Sequence, residues 1–230
     1  MATSGTTTFT LDLGDLIEEA FERNGAELLT GYDYRTARRS LNLLFADWAN
    51  RGVNLWTLDS GTVSLVASTA TYTLPADTVD LLDSVIRINN GVVATQSDQV
   101  LSRISNSVYS TIPNKLSTGK PIQMVVTRAG AAPTVTLWPV PDSAATYTLV
   151  YWRMRRIQDA GTDAGITNDV PFRFLPPLAS GLAYYLSFKI PGAMERSQAL
   201  KMVYDEDWDR AASEDRERAP FRIVPYVGRV

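Results

Sequence analysis

The densest group of residues that could do chemistry is the carboxylate run Asp205, Glu206, Asp207 and Asp209. Carboxylates are the side chains that hold Ca²⁺ and Mg²⁺ in proteins, so a metal site is the first hypothesis to weigh. Consecutive positions of a helix fan around its axis, however, and four such side chains do not converge on one ion. We therefore interpret this group as a solvated helix face.

One short segment resembles part of an enzyme motif, and no nucleophile elbow is present. Ser117-Thr118-Gly119-Lys120 is similar to the end of a phosphate-binding loop, but Asn114 occupies the upstream glycine position and Pro121 replaces the magnesium-binding hydroxyl. Ser180 lacks the glycine two residues before it that a nucleophile elbow requires. We interpret the first segment as a turn and assign no nucleophilic role to Ser180.

A cluster of arginines, Arg153, Arg155 and Arg156, follows Tyr151 and Trp152. Guanidinium groups beside aromatic rings can bind phosphate or stack on bases. The same residues at the end of a strand can also form an interface or an ion-pair cluster, and we favour this interpretation.

Composition excludes much of the remaining chemistry. The chain has 230 residues with neither histidine nor cysteine, which excludes disulfides, thiolate nucleophiles, common zinc sites and imidazole acid/base catalysis. Its net charge of -3 argues against broad, charge-driven binding to nucleic acid. The first ten residues lack the pattern of a signal peptide, and the apolar stretch 172–190 contains prolines and a lysine, which argues against a membrane span. Any enzyme of this composition would have to work with carboxylates, lysine, serine or tyrosine, and because the motif matches above are weak we predict a non-enzymatic protein without a cofactor.

Apolar residues at three- and four-residue steps predict four main helices. The first covers 12–24 and ends at Gly25, and the second begins with Asp33 as its cap and ends at Gly52. The other two cover 171–189 and 193–217, on either side of Pro191-Gly192.

Between residues 55 and 156 the apolar period changes to two, which predicts half-buried antiparallel strands, with one short helix capped by Ser97. The simplest packing is an α+β protein in which helices from both termini form a bundle. We predict a helical bundle domain from residues 1–53 and 157–218, an inserted β-rich domain at 54–156 and an extended tail at 219–230.

The tail follows a charged helix and is apolar, with Pro220 and Pro225 preventing a continued helix. Its branched and aromatic residues favour an extended strand, whose backbone donors and acceptors need a partner. Two destinations remain open at this point: the tail folds back onto its own domain, or it docks onto a neighbouring subunit or a second protein.

Several segments together resemble podovirus head-to-tail adaptor proteins, related to the tail tubular protein A group. The likeness spans nearly the whole chain and its motifs are structural rather than catalytic. The segments are Asp15–Arg23, Gly31–Asp33, Arg35–Asn42, Trp48–Gly52 with Leu55-Trp56, Leu137–Asp142, Tyr147–Arg156 and Phe172–Tyr185.

The resemblance implies a ring of identical subunits, expected to be twelve-fold, at the portal-tail junction of a virion, where it carries the tail nozzle and lets the genomic DNA pass without sequence-specific binding. Adaptors of this kind have a helical and a β domain, and some grip the portal with a C-terminal extension. By position, the portal-contact role falls on the tail residues Phe221, Arg222, Ile223, Val224, Pro225, Tyr226 and Val227. We expect Asp205 and Asp209 to face the channel, because a negative lining lets DNA slide.

Two other classes of function stay open from the sequence. A carbohydrate-active or receptor-binding tail protein would use a pair of carboxylates or exposed aromatic residues on a strand-rich surface. A DNA-binding module would bind duplex DNA tightly and with a steep salt dependence, which the acidic balance makes the least favoured hypothesis.

Overall fold

The computed structural model describes residues 4–52, 55–128 and 132–215, and these residues form a mixed α+β protein. The predicted α+β class is therefore confirmed. The chain divides into two compact units. A helical unit combines the described residues up to Leu55 with those from Gln158 onward, and a β unit runs from Trp56 to Ile157.

Five α-helices occur within the described ranges: α1 (Leu13–Arg23), α2 (Gly31–Asn50), α3 (Asn106–Ser110), α4 (Leu175–Ser187) and α5 (Ser197–Glu214). Single 3-10 turns lie at Leu55–Thr57, Phe172–Phe174 and Ala193–Arg196. The two predicted C-terminal helices thus each begin with a 3-10 turn before the α-helix proper. None of the described helices is long and apolar enough to cross a membrane.

Capping residues set where the first two helices begin. The Asp12 carboxylate accepts the backbone N–H of Asp15 at 2.8 Å, and Gly25 after α1 has a φ of +71°. The second helix begins earlier than predicted, because Thr30 is its N-cap and Asp33 its third residue. The Thr30 hydroxyl accepts the Asp33 N–H and the Asp33 carboxylate accepts the Thr30 N–H, which forms a capping box. The prediction of Asp33 as the cap was therefore wrong by three residues.

Helix α4 lies at the centre of the helical unit and contacts α1, α2 and α5. It is buried on most sides, and Gly181 is the point of closest approach: a Cβ there would lie 2.8 Å from the Tyr204 ring and 3.0 Å from Leu44. Each Leu or Phe buried in such a core contributes about 1.5–3 kcal/mol. Residues from both ends of the sequence therefore share one core.

An aromatic cluster completes that core. The Trp48 ring lies 4.9 Å from the Trp208 ring and 5.8 Å from the Phe174 ring, measured between centroids. The Arg51 guanidinium lies 4.8 Å from the Trp208 ring and 4.9 Å from the Tyr204 ring, so it stacks on two aromatic faces of α5. This cluster joins the end of α2 to the middle of α5.

The β unit contains ten short strands within its described residues: β1 (Leu58–Ser64), β2 (Thr71–Thr73), β3 (Thr78–Ile88), β4 (Ser97–Val100), β5 (Ser102–Arg103), β6 (Thr118–Gly119), β7 (Gln123–Thr127), β8 (Thr134–Trp138), β9 (Val140–Pro141) and β10 (Tyr147–Arg155). They form two four-stranded sheets, in the orders β1-β10-β3-β4 and β2-β8-β7-β5, and one short pair, β6-β9.

The two four-stranded sheets share one apolar core. The first contributes residues such as Ile86 and Leu149, and the second contributes residues such as Met124 and Leu137. Period-two alternation in the sequence predicted these strands. Most pairs are antiparallel as predicted, but β5 pairs parallel to β7 and β6 parallel to β9.

The short helix of the β unit is not where the sequence placed it. Ser97 begins strand β4, which pairs with β3 so that Val100 lies opposite Val85. The helix is α3, capped by Ser105, whose hydroxyl accepts the Val108 N–H at 3.2 Å. Pairing with the open edge of β3 satisfies the backbone of 97–100, and this overrides the local capping signal.

Candidate assembly surfaces

Arg153, one of the three arginines at the end of β10, forms a partly buried ion-pair site. Arg153 is 8% exposed, and its guanidinium donates to Asp77 at 2.5 Å, to the Thr78 hydroxyl at 2.9 Å and to Asp59 at 3.0 Å. Arg153 on β10 therefore links β1, which carries Asp59, to the start of β3 at Asp77 and Thr78. This geometry agrees with the ion-pair interpretation and leaves Arg153 unavailable for a phosphate.

Electrostatics at this site follow from the geometry. The hydrogen bond from Arg153 holds the pKa of Asp77 below its ordinary value, against the opposing effect of burial. Burial alone would lower the pKa of Arg153, but the hydrogen bonds that its guanidinium donates to Asp77 and Asp59 outweigh this effect, and the pKa is raised. Both groups are therefore charged at neutral pH, and the site stabilises the β unit.

The acidic residues of α5 divide into two sets. Glu206 and Asp207 pair with Arg210 of the same helix, the latter at 3.6 Å. Asp205 and Asp209 are exposed, one helical turn apart, and form no ion pair within the described part of the chain. No group of three or more acidic residues capable of holding a metal occurs among the described residues.

The two segments compared with enzyme motifs have structural roles. Thr118–Gly119 forms strand β6 and pairs with β9, with Gly119 opposite Pro141. The buried Ser180 hydroxyl donates to the Pro176 carbonyl one turn earlier at 3.0 Å. Neither segment presents a nucleophile or a phosphate-binding loop.

The described chain ends at a fixed position. The Asp215 side chain is 5% exposed; its carboxylate accepts a bond from the Arg173 guanidinium and another, at 2.9 Å, from the backbone N–H of Leu55. One carboxylate therefore ties the end of α5 to the turn before α4 and to the end of the first helical segment.

An apolar groove lies beside this position and includes Arg173 among its lining residues. The aromatic groove, as we call it, has a volume of about 390 Å³ and is built around Phe9 and Phe172. Their rings meet edge to face with centroids 6.4 Å apart, yet the two residues remain 66% and 68% exposed. Leu11, Leu175 and Pro176 line the groove, and the Arg23–Glu19 ion pair at 2.7 Å forms part of its rim.

A second cavity of the helical unit differs in charge. It has a volume of about 600 Å³, and Leu29, Tyr32, Arg39 and Lys189 are among its lining residues. The Lys189 ammonium donates to the Ser40 hydroxyl at 2.6 Å, and burial together with the nearby Arg39 lowers the pKa of Lys189. Leu29 and Tyr32 are 76% and 65% exposed, so apolar surface is open to a partner here as well.

Comparison with known families identifies the class of protein. The family profile described as SU10 adaptor protein matches residues 11–224, which covers both compact units. A search among curated proteins gave no significant match. The chain belongs to the SU10 adaptor protein family, a phage head-tail adaptor family.

The predicted resemblance to podovirus adaptors is thereby confirmed. The protein is a structural component of a phage virion, and its family implies contact with portal and tail components.

The structure describes two of the predicted site residues, Asp205 and Asp209, and not those of the tail. Phe221, Arg222, Ile223, Val224, Pro225, Tyr226 and Val227 lie outside the described residues. Asp205 and Asp209 lie on the exposed side of α5. Sequence reasoning missed the aromatic groove, because Phe9 precedes the first periodic helix and Phe172 lies more than 160 positions away.

Proposed function

We propose that the protein assembles into a ring, expected to contain twelve copies, that joins the portal to the tail nozzle and surrounds the path of the genomic DNA. The family match across residues 11–224 carries this proposal, because it covers both compact units rather than one local motif. The function is mechanical and involves no turnover.

The proposed architecture has three parts. Residues 1–53 and 157–218 form a helical bundle, residues 54–156 form an inserted β domain, and residues 219–230 form an extended docking tail. Division of the chain into a unit up to Leu55 and from Gln158, and a unit from Trp56 to Ile157, supports the first two parts. Contacts of α4 with α1, α2 and α5 support a bundle built from both ends of the sequence.

Ring formation needs a heterologous interface, in which one surface of a subunit meets a different surface of the next. Exposed apolar residues supply such surfaces in the helical unit, including Leu29 and Tyr32 at the second cavity and Met202 on α5. Repetition around a ring multiplies each contact, so interfaces that are weak alone give a stable assembly.

Portal contact falls to the tail residues 221–227. Ordering such a segment costs about 1–2 kcal/mol per residue in backbone entropy, so docking must bury several apolar side chains to be favourable. Phe221, Ile223, Val224, Tyr226 and Val227 supply those side chains. The tail would then act as one arm per subunit.

Asp205 and Asp209 of α5 line the channel in this proposal. Asp205 and Asp209 are exposed, one turn apart and without an ion pair in the described structure, so they present unneutralised negative charge. A negative lining repels the phosphate backbone and limits adhesion of passing DNA.

Mass measurement tests the connector role. The purified protein, alone and mixed with a portal ring, is analysed by native mass spectrometry. We expect a monomer that binds in a ratio of one adaptor per portal subunit, which indicates that the portal templates the ring. A monomer that binds no portal from a phage with this family of adaptor would overturn the proposal.

A further inference from the structure

We propose that the aromatic groove holds the C-terminal segment of its own chain, residues 216–230, before the subunit joins a ring. The groove and the segment are separate features, and the structure brings the start of one beside the other. Release of the segment would then accompany assembly. Only this last step rests on the proposed function.

The position at which the described chain ends is the first support. Asp215 is held by Arg173, and Arg173 itself lines the aromatic groove. Phe172, the next residue back along the chain, forms the groove with Phe9. The segment after Asp215 therefore begins at the rim of the groove.

The length of chain between Asp215 and Phe221 is the second support. Phe221 is six residues beyond Asp215, and an extended chain of six residues spans about 20 Å. This length is enough for Phe221 to reach the aromatic groove, because Arg173, which holds Asp215, also lines that groove. Tyr226, five residues further on, can lie along the same surface.

Chemical complementarity is the third support. Pro220 and Pro225 favour an extended backbone at and before each proline, and proline-containing extended segments bind to aromatic-lined grooves. Phe9 and Phe172 provide two exposed rings, and the cavity volume of about 390 Å³ is within the usual range of binding pockets. The complementarity is apolar rather than electrostatic, because Glu19 of the groove already pairs with Arg23.

The groove and the portal would compete for the same side chains. A subunit whose tail is docked cannot bind a portal until the tail leaves the groove. The apparent affinity for the portal is therefore the intrinsic affinity multiplied by the fraction of subunits whose tail is undocked. Docking in the free subunit therefore shields the apolar tail from premature contact.

Photo-crosslinking in the full-length chain tests the site directly. Val224→Cys introduces a single cysteine, since the sequence has none, and a benzophenone is attached to it. The labelled protein is irradiated at a concentration where it is monomeric, and mass spectrometry identifies the captured residues. We expect capture at residues 9–11 and 172–176. Capture mainly at the second cavity, or mainly between copies in a mixture of isotopically light and heavy chains, would overturn the proposal.

Hydrogen exchange provides the matched control. Phe172→Asp places a charge in the aromatic groove, whereas Leu29→Asp makes the same change at an equally exposed apolar residue of the second cavity. We expect amides of 221–227 to exchange at least tenfold faster in Phe172→Asp and at the wild-type rate in Leu29→Asp. Equal rates in all three proteins, with unchanged melting temperatures, would contradict docking.

Portal binding by Phe172→Asp, compared with the wild-type chain, separates the two proposals. If the tail docks in the groove and also binds the portal, Phe172→Asp should bind the portal severalfold faster than the wild-type chain. If crosslinks reach the groove but no portal binds, the connector proposal fails and the groove assignment stands. If the portal binds and crosslinks avoid the groove, the groove assignment fails alone.

Discussion

Trp48 donates its indole N–H to the hydroxyl of Tyr204 over 2.9 Å, in the buried centre of the helical unit. The two residues are 156 positions apart, so this bond joins the first half of that unit to the second. Burial is the main reason that the pKa of Tyr204 lies far above its ordinary value, although the bond from Trp48 opposes the rise. Tyr204 is therefore a neutral acceptor across the physiological pH range.

Removing this acceptor should destabilise the helical unit. Tyr204→Phe leaves the Trp48 N–H buried without a partner, which costs about 1–3 kcal/mol. Urea unfolding measured by tryptophan fluorescence gives the change in free energy. Tyr32→Phe is the control, because Tyr32 is largely exposed and its loss of a hydroxyl should change stability by less than about 0.5 kcal/mol. Equal effects of the two changes would contradict a role for the Trp48–Tyr204 bond.

Acid should weaken the β unit through Asp77. A carboxyl whose pKa is lowered in the folded state contributes stability above its unfolded pKa, here 3.8, and loses it as the pH falls through the folded value. We expect the stability of the β unit to decline below about pH 5, and Asp77→Asn to lower stability at pH 7 and flatten this decline. Thermal melts from pH 7 to pH 3 give the comparison.

The control for that series is Asp83→Asn, which removes one exposed carboxylate from the same strand, β3, without touching Arg153. It should retain the wild-type decline in acid. A decline of the same size in Asp77→Asn would show that other carboxylates govern it.

Adding one methyl group at Gly181 should be costly despite the better helix propensity of alanine. The new Cβ would lie 2.8 Å from the Tyr204 ring and 3.0 Å from Leu44, and overpacking of this kind costs about 1–3 kcal/mol. Gly165→Ala meets open space and a φ outside the positive region, so it should be neutral or slightly stabilising. Denaturation midpoints measure the two changes: the midpoint of Gly181→Ala should be lower than that of the wild-type protein, and the midpoint of Gly165→Ala should be equal or slightly higher.

If α5 faces the channel of the proposed ring, reversing charge on α5 should make the portal-bound ring bind DNA. Asp205→Lys with Asp209→Lys changes the charge by +2 at each position, hence +4 per subunit. Fluorescence anisotropy with a labelled duplex should show binding that weakens steeply as salt rises, while the wild-type ring binds weakly. Glu18→Lys on α1, also exposed, tests whether any added positive charge has this effect. If the α5 variant fails to bind DNA, these residues do not face the channel.

Deleting residues 221–230 should abolish portal binding and leave the subunit folded. The deletion removes the apolar side chains of the tail, and the described core ends at Asp215, six positions earlier. Analytical centrifugation with a portal ring measures binding, and circular dichroism checks the fold. Portal binding at the wild-type level by the shortened protein would reject the tail as the docking arm.

Local patterns predicted the elements well where periodicity and caps agree. Leu16, Ile17 and Phe21 lie on the buried stripe of α1 because apolar spacing sets which side of a helix faces the core. The strands of the β unit were likewise visible from alternation. Errors arose where a local signal competed with a long-range partner, as at Ser97, which pairs in a sheet instead of capping a helix.

Relationships between distant residues were beyond the sequence. Nothing near Arg173 indicates that it would bind Asp215, 42 positions away, and nothing near Arg153 specifies Asp59 and Asp77 as its partners. Such pairs depend on how complete elements pack, and periodicity within one element does not encode that packing.

The bond network at Asp215 also has a mechanical consequence. A pull on the C-terminal segment first meets a carboxylate held by the Arg173 side chain and by the Leu55 backbone, rather than the last turn of α5 alone. Tension is therefore divided between two separate stretches of chain. An anchor of this kind resists peeling of the helix from its end, because the Asp215 carboxylate must be pulled away from both partners before the last turn of α5 can unwind.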